Sequence, residues 1–549
     1  MTDVLQGMLV AVACAAWLGL LVRAGLVGAR MYQIEEYDAR RLFAWGANRS
    51  WLLHRSALVA AAPAAVLTVL AIARVAASGF HTEFPAAWIA GLGAAHLLWR
   101  WLPSKKELVY TPRLRRMLAT AAGLSAAVAV GLALIFEVNS AVGAVIAVAV
   151  SLGFPALSLS FLVTANALNR PIEAAVRRRF LRSARRRMEG FHPLVIAVAG
   201  SYGKTSTKHI LAHLLEQYGP TLATPKSFNT LMGVCRTVND VLDAHHRTFI
   251  VEMDAYGPGE IAAICALVRP RHALVTSVGP QHLERFGTME RISAALDETV
   301  AALGEGGFAV VYGGDDASAA LADRAVAAGH EVIRYGIAGS AQQLDVVAEN
   351  VQITGSGSRF TWRWPGSGLS HDIALPLLGR HQVLNVSAAL ATVHRLGLPL
   401  QPALTALPSL QPVDHRLQPV PTGNAITVID DSYNANPVGV HNGLEVLAQL
   451  DARARILVTP GLVELGAVED EENRRYGEHA ARVCDHVIVM DARPARALRD
   501  GLRAGGMADD RVHVVRTLAE ATAVIGRVAV AGDAVLFAND LPDTYLGAA

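Results

Sequence analysis

Gly200-Ser-Tyr-Gly-Lys-Thr-Ser206 follows the apolar run Val195-Ile-Ala-Val-Ala199 and leads into a helical stretch, so a buried strand, a glycine turn and a helix start come in that order. This order suits a phosphate group. Gly200 and Gly203 allow backbone N–H groups to approach an anion, Lys204 supplies a point charge for β- and γ-phosphates, and the Thr205 hydroxyl is placed to hold Mg²⁺. The usual ATPase loop, GxxxxGK[ST], is longer; here only Ser201 and Tyr202 separate the glycines. Gly200, Ser201, Tyr202, Gly203, Lys204, Thr205 and Ser206 are the expected ATP-binding loop, with Lys204 also catalytic.

Two further stretches place metal-ligand types beside that loop. Thr248-Phe-Ile-Val-Glu-Met-Asp254 reads as a buried strand with carboxylates at the end where the phosphate loop also lies, which makes Glu252 a Mg²⁺ ligand alongside Thr205. Ser277-Val-Gly-Pro-Gln-His282 follows the next strand, so His282 reaches the same edge as a further candidate ligand.

The elements that must position these residues follow from the pattern around them. From Pro193 onward, apolar strands alternate with helical stretches: Leu194–Ala199, Thr248–Met253, Ala273–Val278 and Ala309–Tyr312. Strands separated by helices imply right-handed crossovers and a parallel sheet with ligands at its carboxyl edge. Alternation across Val346–Trp364, broken by Gly355 and Gly357, predicts antiparallel hairpins appended to that domain. A second α/β series opens near Asp414, with strands at Ala425–Ile429, Arg455–Thr459, His486–Met490 and Ala534–Ala538.

The residues before Pro193 have a different character. A mean hydropathy of +0.33 with 17% charged residues is too apolar for an ordinary soluble enzyme. Apolar stretches at Met1–Arg23, Ala57–Ser78, Phe84–Leu102, Leu118–Val138 and Ala141–Leu168 each approach the roughly 20 residues that cross a bilayer. Arg30, Arg40, Arg41, Arg49 and Arg55 fall in the first loop, and Lys105, Lys106, Arg113, Arg115 and Arg116 in the third. The positive-inside rule then puts the N-terminus outside and everything after Leu168 in the cytoplasm, a multi-pass protein of the cell membrane. Arg177, Arg178, Arg179, Arg182, Arg185, Arg186 and Arg187 form a juxtamembrane basic run attracted to anionic headgroups of membrane lipids, or one that merely fixes topology. A net charge of +2 argues against a nucleic-acid partner, and the scattered Cys14, Cys235, Cys265 and Cys484 have no metal-ligand spacing and read as reduced. The expected domains are 1–169 in the membrane, 170–192 as connector, 193–412 as the central ATP-binding domain and 413–549 as the C-terminal domain. The fold class is therefore an α-helical membrane region followed by α/β, with a P-loop central domain on a parallel sheet and a Rossmann-like C-terminal domain.

The order of motifs resembles the Mur ligases, ATP-dependent amide-forming enzymes of bacterial cell-wall synthesis, and most nearly the type that adds D-alanyl-D-alanine to UDP-N-acetylmuramoyl-tripeptide. The resemblance covers about Pro193 to Phe537. It rests on Gly200-Ser-Tyr-Gly-Lys-Thr-Ser-Thr-Lys208, Ser227-Phe-Asn-Thr230, Glu252-Met-Asp-Ala-Tyr-Gly-Pro-Gly-Glu-Ile261, His282-Leu-Glu-Arg-Phe-Gly287, Leu378-Gly-Arg-His-Gln-Val-Leu-Asn385 and Asp430-Asp-Ser-Tyr-Asn-Ala-Asn-Pro437. It implies that ATP phosphorylates a carboxylate to an acyl phosphate, which an amine then displaces, with Mg²⁺ held by Thr205, Glu252 and His282. It also implies a catalytic Asn229 near the transferring phosphate, a catalytic His282, Gln382 and Asn385 near the nucleotide, and Arg416 and Asp431 reaching phosphates and ribose. A site split in this way requires domain closure.

Three departures qualify the resemblance. Where the family carries a lysine that is carbamylated to bridge a second Mg²⁺, this chain has Leu296, so either Asp297 or Glu298 supplies the charge or the second metal site is weakened. The amide of the nucleotide motif comes from Gln382, after His381. The family's N-terminal UDP-sugar domain is replaced by membrane spans, while Gly461-Leu-Val-Glu-Leu-Gly466 matches the region where the incoming amine binds. The expected function is a membrane-anchored ligase joining an amino acid or short peptide to a carboxylate acceptor, lipid-linked or part of an envelope polymer. Alternatives are a polyglutamate-type capsule synthetase and a catalytically inactive nucleotide-sensing membrane protein. A transporter energiser is disfavoured because no LSGGQ-like signature occurs.

Overall fold

The computed structural model describes residues 2–48, 57–63, 65–66, 80–99, 107–340, 343–354, 357–421, 425–433, 436–491 and 494–540. Contacts divide the chain into two compact units, Met1–Val176 and the residues from Arg177 onward.

In the first unit the described helices are Thr2–Ile34, Ala39–Asn48, Phe80–Leu98 and Pro112–Val138, together with the start of Ser140–Phe191. Thr111 caps one of these by accepting from the Leu114 N–H, with Pro112 at the first position where no N–H is needed. Asn139 separates the last two, its Oδ1 accepting from the N–H groups of Ala141 and Val142 at 3.1 Å. Aromatic residues fill the interior: Trp17, Phe84 and Trp88 are fully buried, and Trp88 donates to the Ser151 hydroxyl at 2.7 Å. The outer faces are apolar too, with Val130, Leu134 and Val145 more than half exposed. Three helices among the described residues, Val4–Ile34, Pro112–Val138 and Ser140–Phe191, are long and apolar enough to cross a membrane. The expected span at Ala57–Ser78 lies largely outside the described residues, as do Arg49, Arg55, Lys105 and Lys106.

The second unit holds two sheets. The first runs in the order β2-β3-β1-β4-β5-β6-β7-β8-β9. Its strands are β1 (Leu194–Ala199), β2 (Thr221–Ala223), β3 (Thr248–Glu252), β4 (His272–Val275), β5 (Phe308–Tyr312), β6 (Glu331–Ile337), β7 (Val346–Thr354), β8 (Gly357–Trp364) and β9 (Leu369–Leu375). The apolar run of β1 has a packing cause. Val195, Ala197 and Ala199 enter one core while Ile196 and Val198 enter the other, so neither face tolerates a polar residue. The expected parallel sheet holds from β2 to β7, but β8 and β9 are antiparallel, so the sheet is mixed. Nor are the hairpins appended: β7 pairs in parallel with β6 through Tyr335 and Val346, which makes the hairpin strands a continuation of the central sheet.

The second sheet, ordered β10-β11-β15-β12-β13-β14, comprises β10 (Gln418–Val420), β11 (Thr427–Asp431), β12 (Arg455–Thr459), β13 (His486–Met490), β14 (Val512–Val515) and β15 (Ala534–Ala538). It is parallel apart from β10. The end of helix Ser140–Phe191 belongs to this unit's core through Ala184 and Met188. Arg187 is committed there as well, donating from Nε to the Val238 carbonyl at 2.9 Å, so it is not one of the arginines facing outward.

Candidate active site

The phosphate loop leaves β1 at Gly200 (φ 130°) and enters helix Lys204–Leu215 through Gly203 (φ 82°). Both values favour glycine, and neighbours enforce the requirement: a Cβ on Gly200 would stand 2.0 Å from Thr276 Oγ1, and one on Gly203 would stand 2.9 Å from Asn385 Oδ1. Ser201 ties the loop to the segment after β4, its N–H donating to the Ser277 carbonyl at 2.8 Å and its hydroxyl to the Gly279 carbonyl at 2.9 Å. Lys204, 5% exposed, folds back over the loop. Its Nζ donates to the Gly200 carbonyl at 2.7 Å and to Gln281 Oε1 at 3.0 Å, and lies 3.4 Å from Asp254 Oδ1.

Oxygen ligands gather where β3 ends. The Thr205 hydroxyl donates to Glu252 Oε1 at 3.1 Å, and Asn229 Nδ2 donates to the same oxygen at 3.0 Å. Asn229 Nδ2 is also 3.5 Å from Asp254 Oδ2, and His282 Nε2 is 3.9 Å from that oxygen. His282, in the left-handed region at φ 55°, turns its other nitrogen to Glu464 Oε2 at 3.1 Å, a contact from the first sheet's domain to the second's. The structure thus brings Thr205, Glu252 and Asn229 together, while His282 reaches Glu252 through Asp254 and Asn229. No group of three or more His, Cys, Asp or Glu that could hold a metal occurs among the described residues. A hydroxyl and a carboxylate with a second carboxylate nearby do fit Mg²⁺, a hard cation that takes few protein oxygens and keeps several waters.

Leu296 lines a small cavity of about 20 Å³ with Gly200, Ser201, Asp254 and His282. Neither neighbour supplies a charge there. Asp297 pairs with Arg324 at 2.9 Å, and Glu298 accepts from the N–H groups of Gly259 and Ala262 at the start of helix Glu260–Val268. Each carboxylate has its own structural partner, which favours the alternative of a weakened second metal site over a replacement by either of them.

A cavity of about 740 Å³ opens beside the loop, lined by Tyr202, Gly203 and Asn385 from the first domain and by Arg416, Asp431 and Asn436 from the second. It has the size of a nucleotide site. The Tyr202 hydroxyl is buried there without a partner, and burial raises its pKa. Asp431 accepts from the Leu417 N–H at 3.1 Å; burial pushes its carboxyl up to about 7, against the opposing pull of Arg416. Burial, reinforced by Arg416, pushes His381 down to about 4. Arg416 stacks over Tyr433, 4.9 Å from the ring centroid, and the Tyr433 hydroxyl meets that of Ser227 at 2.6 Å. Ser206 also lines this cavity. Gln382 does not; it is 2% exposed, lines a neighbouring cavity of about 280 Å³ and accepts from Asn385 Nδ2 at 3.1 Å. It reaches the nucleotide side of the site through Asn385, which lines the larger cavity.

Asp254, Lys208 and Glu464 complete the cluster without having been singled out from sequence. Asp254 has the strongest prior signal, two residues beyond Glu252 and so on the same side of an extended chain.

Residues 198–393 match the Mur ligase middle domain, and residues 415–539 match the Mur ligase glutamate ligase domain. The chain is 35% identical over 366 residues to a UDP-N-acetylmuramoyl-tripeptide–D-alanyl-D-alanine ligase of Mycobacterium leprae, covering 62% of this chain and 70% of that one. It is 34% identical over 297 residues to the Escherichia coli enzyme of the same name, covering 54% of this chain and 64% of the relative. Among solved structures, the MurF ligase from Thermotoga maritima in complex with ADP superimposes with a TM-score of 0.58 at 25% identity, covering 66% of this chain and 80% of that one. Together with the glycine loop, the Thr205–Glu252 pair and the two α/β sheets, these likenesses establish that the chain belongs to the Mur ligase family.

Proposed function

We propose that this protein is an ATP-dependent, ADP-forming carboxylate–amine ligase of cell-wall synthesis, anchored in the membrane with its ligase domains in the cytoplasm. The observation that carries the reading is the cavity of about 740 Å³ walled by the phosphate loop on one side and by Arg416 and Asp431 on the other. ATP enters that cavity and Lys204 exchanges its carbonyl and Asp254 partners for phosphate oxygens. Thr205 with Glu252 would hold Mg²⁺, which would supply charge neutralisation for the phosphoryl group in flight.

The substrate carboxylate takes the γ-phosphoryl group and ADP leaves. Asn229 orients the Glu252 carboxylate at this step. The amine then attacks the acyl phosphate carbon, loses a proton, and expels inorganic phosphate as the amide forms. Contacts between the domains, His282 with Glu464 and Ser227 with Tyr433, support a closed arrangement that keeps water from the acyl phosphate.

The relatives' names suggest the substrate class: a muramoyl-tripeptide carboxylate and D-alanyl-D-alanine. The membrane part of the reading is supported by the three long apolar helices and by the exposed arginines 177, 178, 179, 182, 185 and 186. An active site held at the inner leaflet meets a membrane-confined acceptor at raised effective concentration, so a lipid-linked muramoyl-peptide is the preferred acceptor. The test is a competition in which full-length protein in membranes receives lipid-linked and UDP-linked muramoyl-tripeptide together with ATP, Mg²⁺ and D-alanyl-D-alanine. Preferential extension of the lipid-linked form supports the proposal; equal or preferred use of the UDP-linked form overturns the lipid-linked part.

A further inference from the structure

Lys208 lies one helical turn beyond Lys204 on helix Lys204–Leu215, and its side chain has 0% exposure. A buried cation is tolerated only where charge and hydrogen bonds replace water. Two partners do so. Nζ is 3.0 Å from Glu252 Oε2 and donates to the Lys226 carbonyl at 2.9 Å. The approach to Oε2 is an ion pair rather than an aligned hydrogen bond, so charge is what it contributes.

The two oxygens of Glu252 are thereby divided. Oε2 belongs to Lys208, while Oε1 is left to the Thr205 hydroxyl and the Asn229 amide. The Lys226 carbonyl begins the short segment that ends at Asn229, and Lys226 itself is held at φ 49°. That segment is stitched to β3 on either side: Glu252 N–H donates to the Thr224 hydroxyl at 3.1 Å and Asp254 N–H to the Asn229 carbonyl at 2.9 Å. One ammonium group therefore touches both the carboxylate and the loop that carries its amide partner.

We infer that Lys208 is a positioning residue for the divalent cation. By holding Oε2 and the Lys226 carbonyl together, it fixes the carboxylate so that Oε1 stays turned to the Thr205 hydroxyl and the Asn229 amide, on the side where the cation would bind. Lys208 acts through Glu252. A methionine of similar length fills the same space but leaves the carboxylate free to rotate and the loop unpinned.

The inference rests on the nucleotide and cation reading proposed above, and the experiment separates the two. ADP binding to full-length protein is measured by equilibrium dialysis across a Mg²⁺ series for the native chain, Lys208→Met, Glu252→Gln and the double variant. The expected result for Lys208→Met is at least a tenfold rise in the Mg²⁺ concentration giving half-maximal ADP binding, with metal-free ADP affinity changed less than twofold. An unchanged Mg²⁺ midpoint overturns the inference, as does a parallel loss of metal-free ADP binding and melting temperature, the signature of a purely structural lysine. Should Lys208→Met fail to fold, Glu252→Gln and the double variant decide: equal Mg²⁺ midpoints support action through Glu252, and a further rise in the double variant refutes it. If the native chain shows no Mg²⁺-dependent ADP binding, the underlying reading of the site fails instead.

Discussion

Replacing Gly200 with alanine tests the geometry of the phosphate loop at its tightest point. The backbone there has φ 130°, and the added Cβ would lie 2.0 Å from Thr276 Oγ1, 3.0 Å from Thr276 N and 3.1 Å from Thr276 C. The hydroxyl can rotate away at the cost of its bond to the Ala199 carbonyl at 3.2 Å. The backbone cannot, because Thr276 N–H donates to that carbonyl at 2.9 Å and β1 and β4 are in register through Ala199 and Val275. The unfavourable φ contributes about 1–3 kcal/mol, and forcing atoms into a packed site a further ~1–3 kcal/mol. A total on the order of 4 kcal/mol lowers the melting temperature by roughly 10 °C at ~2–4 °C per kcal/mol.

Ser201, next in the chain, shifts with the loop, so the stabilisation produced by ADP and Mg²⁺ should disappear as well. Melting of full-length protein with and without ADP measures both effects. Combining the substitution with Thr276→Ala removes the closest contact but leaves the φ strain, and should return about half of the lost stability. A loss below ~0.5 kcal/mol, within the range of a neutral surface change, together with a normal ADP-induced shift would refute the loop geometry.

Lys204→Ala should lower nucleotide turnover by ~10²–10³-fold, the scale of losing a charge that stabilises the transition state; ADP release measures the loss. Asp431 has a folded pKa raised to about 7 from 3.8, so its contribution to stability is fully present below the unfolded value and is lost as pH rises to 7. Asp431→Asn removes that loss: by denaturant unfolding the variant should match the native protein near pH 4 and exceed it at pH 8 by up to about 4 kcal/mol, whereas parallel pH profiles would count against the burial argument. The proposed five-span topology puts the termini on opposite sides of the membrane, so reporter fusions at residues 2 and 549 should give opposite signals, and equal signals would reject that topology.

The strands most legible in the sequence are those buried on both faces. Leu194–Ala199, Arg455–Thr459, His486–Met490 and Ala534–Ala538 are read to the residue because their continuous apolar runs serve two cores at once. Strands with a wet face or a free edge escape. Glu331–Ile337 carries Arg334 in its middle, Thr221–Ala223 is a short edge, and Val512–Val515 is partly exposed at the other sheet's edge. Alternation within Val346–Trp364 correctly indicates antiparallel pairing of β7 with β8, but it is silent about the neighbour on the other side, β6.

The same division holds at the site. The phosphate loop is contiguous, so its glycines, Lys204 and Thr205 announce themselves through spacing. Asp254 follows Glu252 at strand spacing and is half legible, but Lys208 and Glu464 matter because folding brings them to Glu252 and His282, and no local pattern encodes those meetings. Leu296 is visible as a departure, yet only the structure shows Asp297 and Glu298 engaged with other partners.

The most direct test of the ligase chemistry is ADP release by purified full-length protein given ATP and Mg²⁺, with a muramoyl-tripeptide acceptor and D-alanyl-D-alanine supplied separately and together. Multiple-turnover release that requires both, matched one for one by phosphate and by a new amide-linked product, is the predicted result. ATP consumption indifferent to acceptor and amine, or none with both lipid-linked and UDP-linked acceptors supplied, would contradict it.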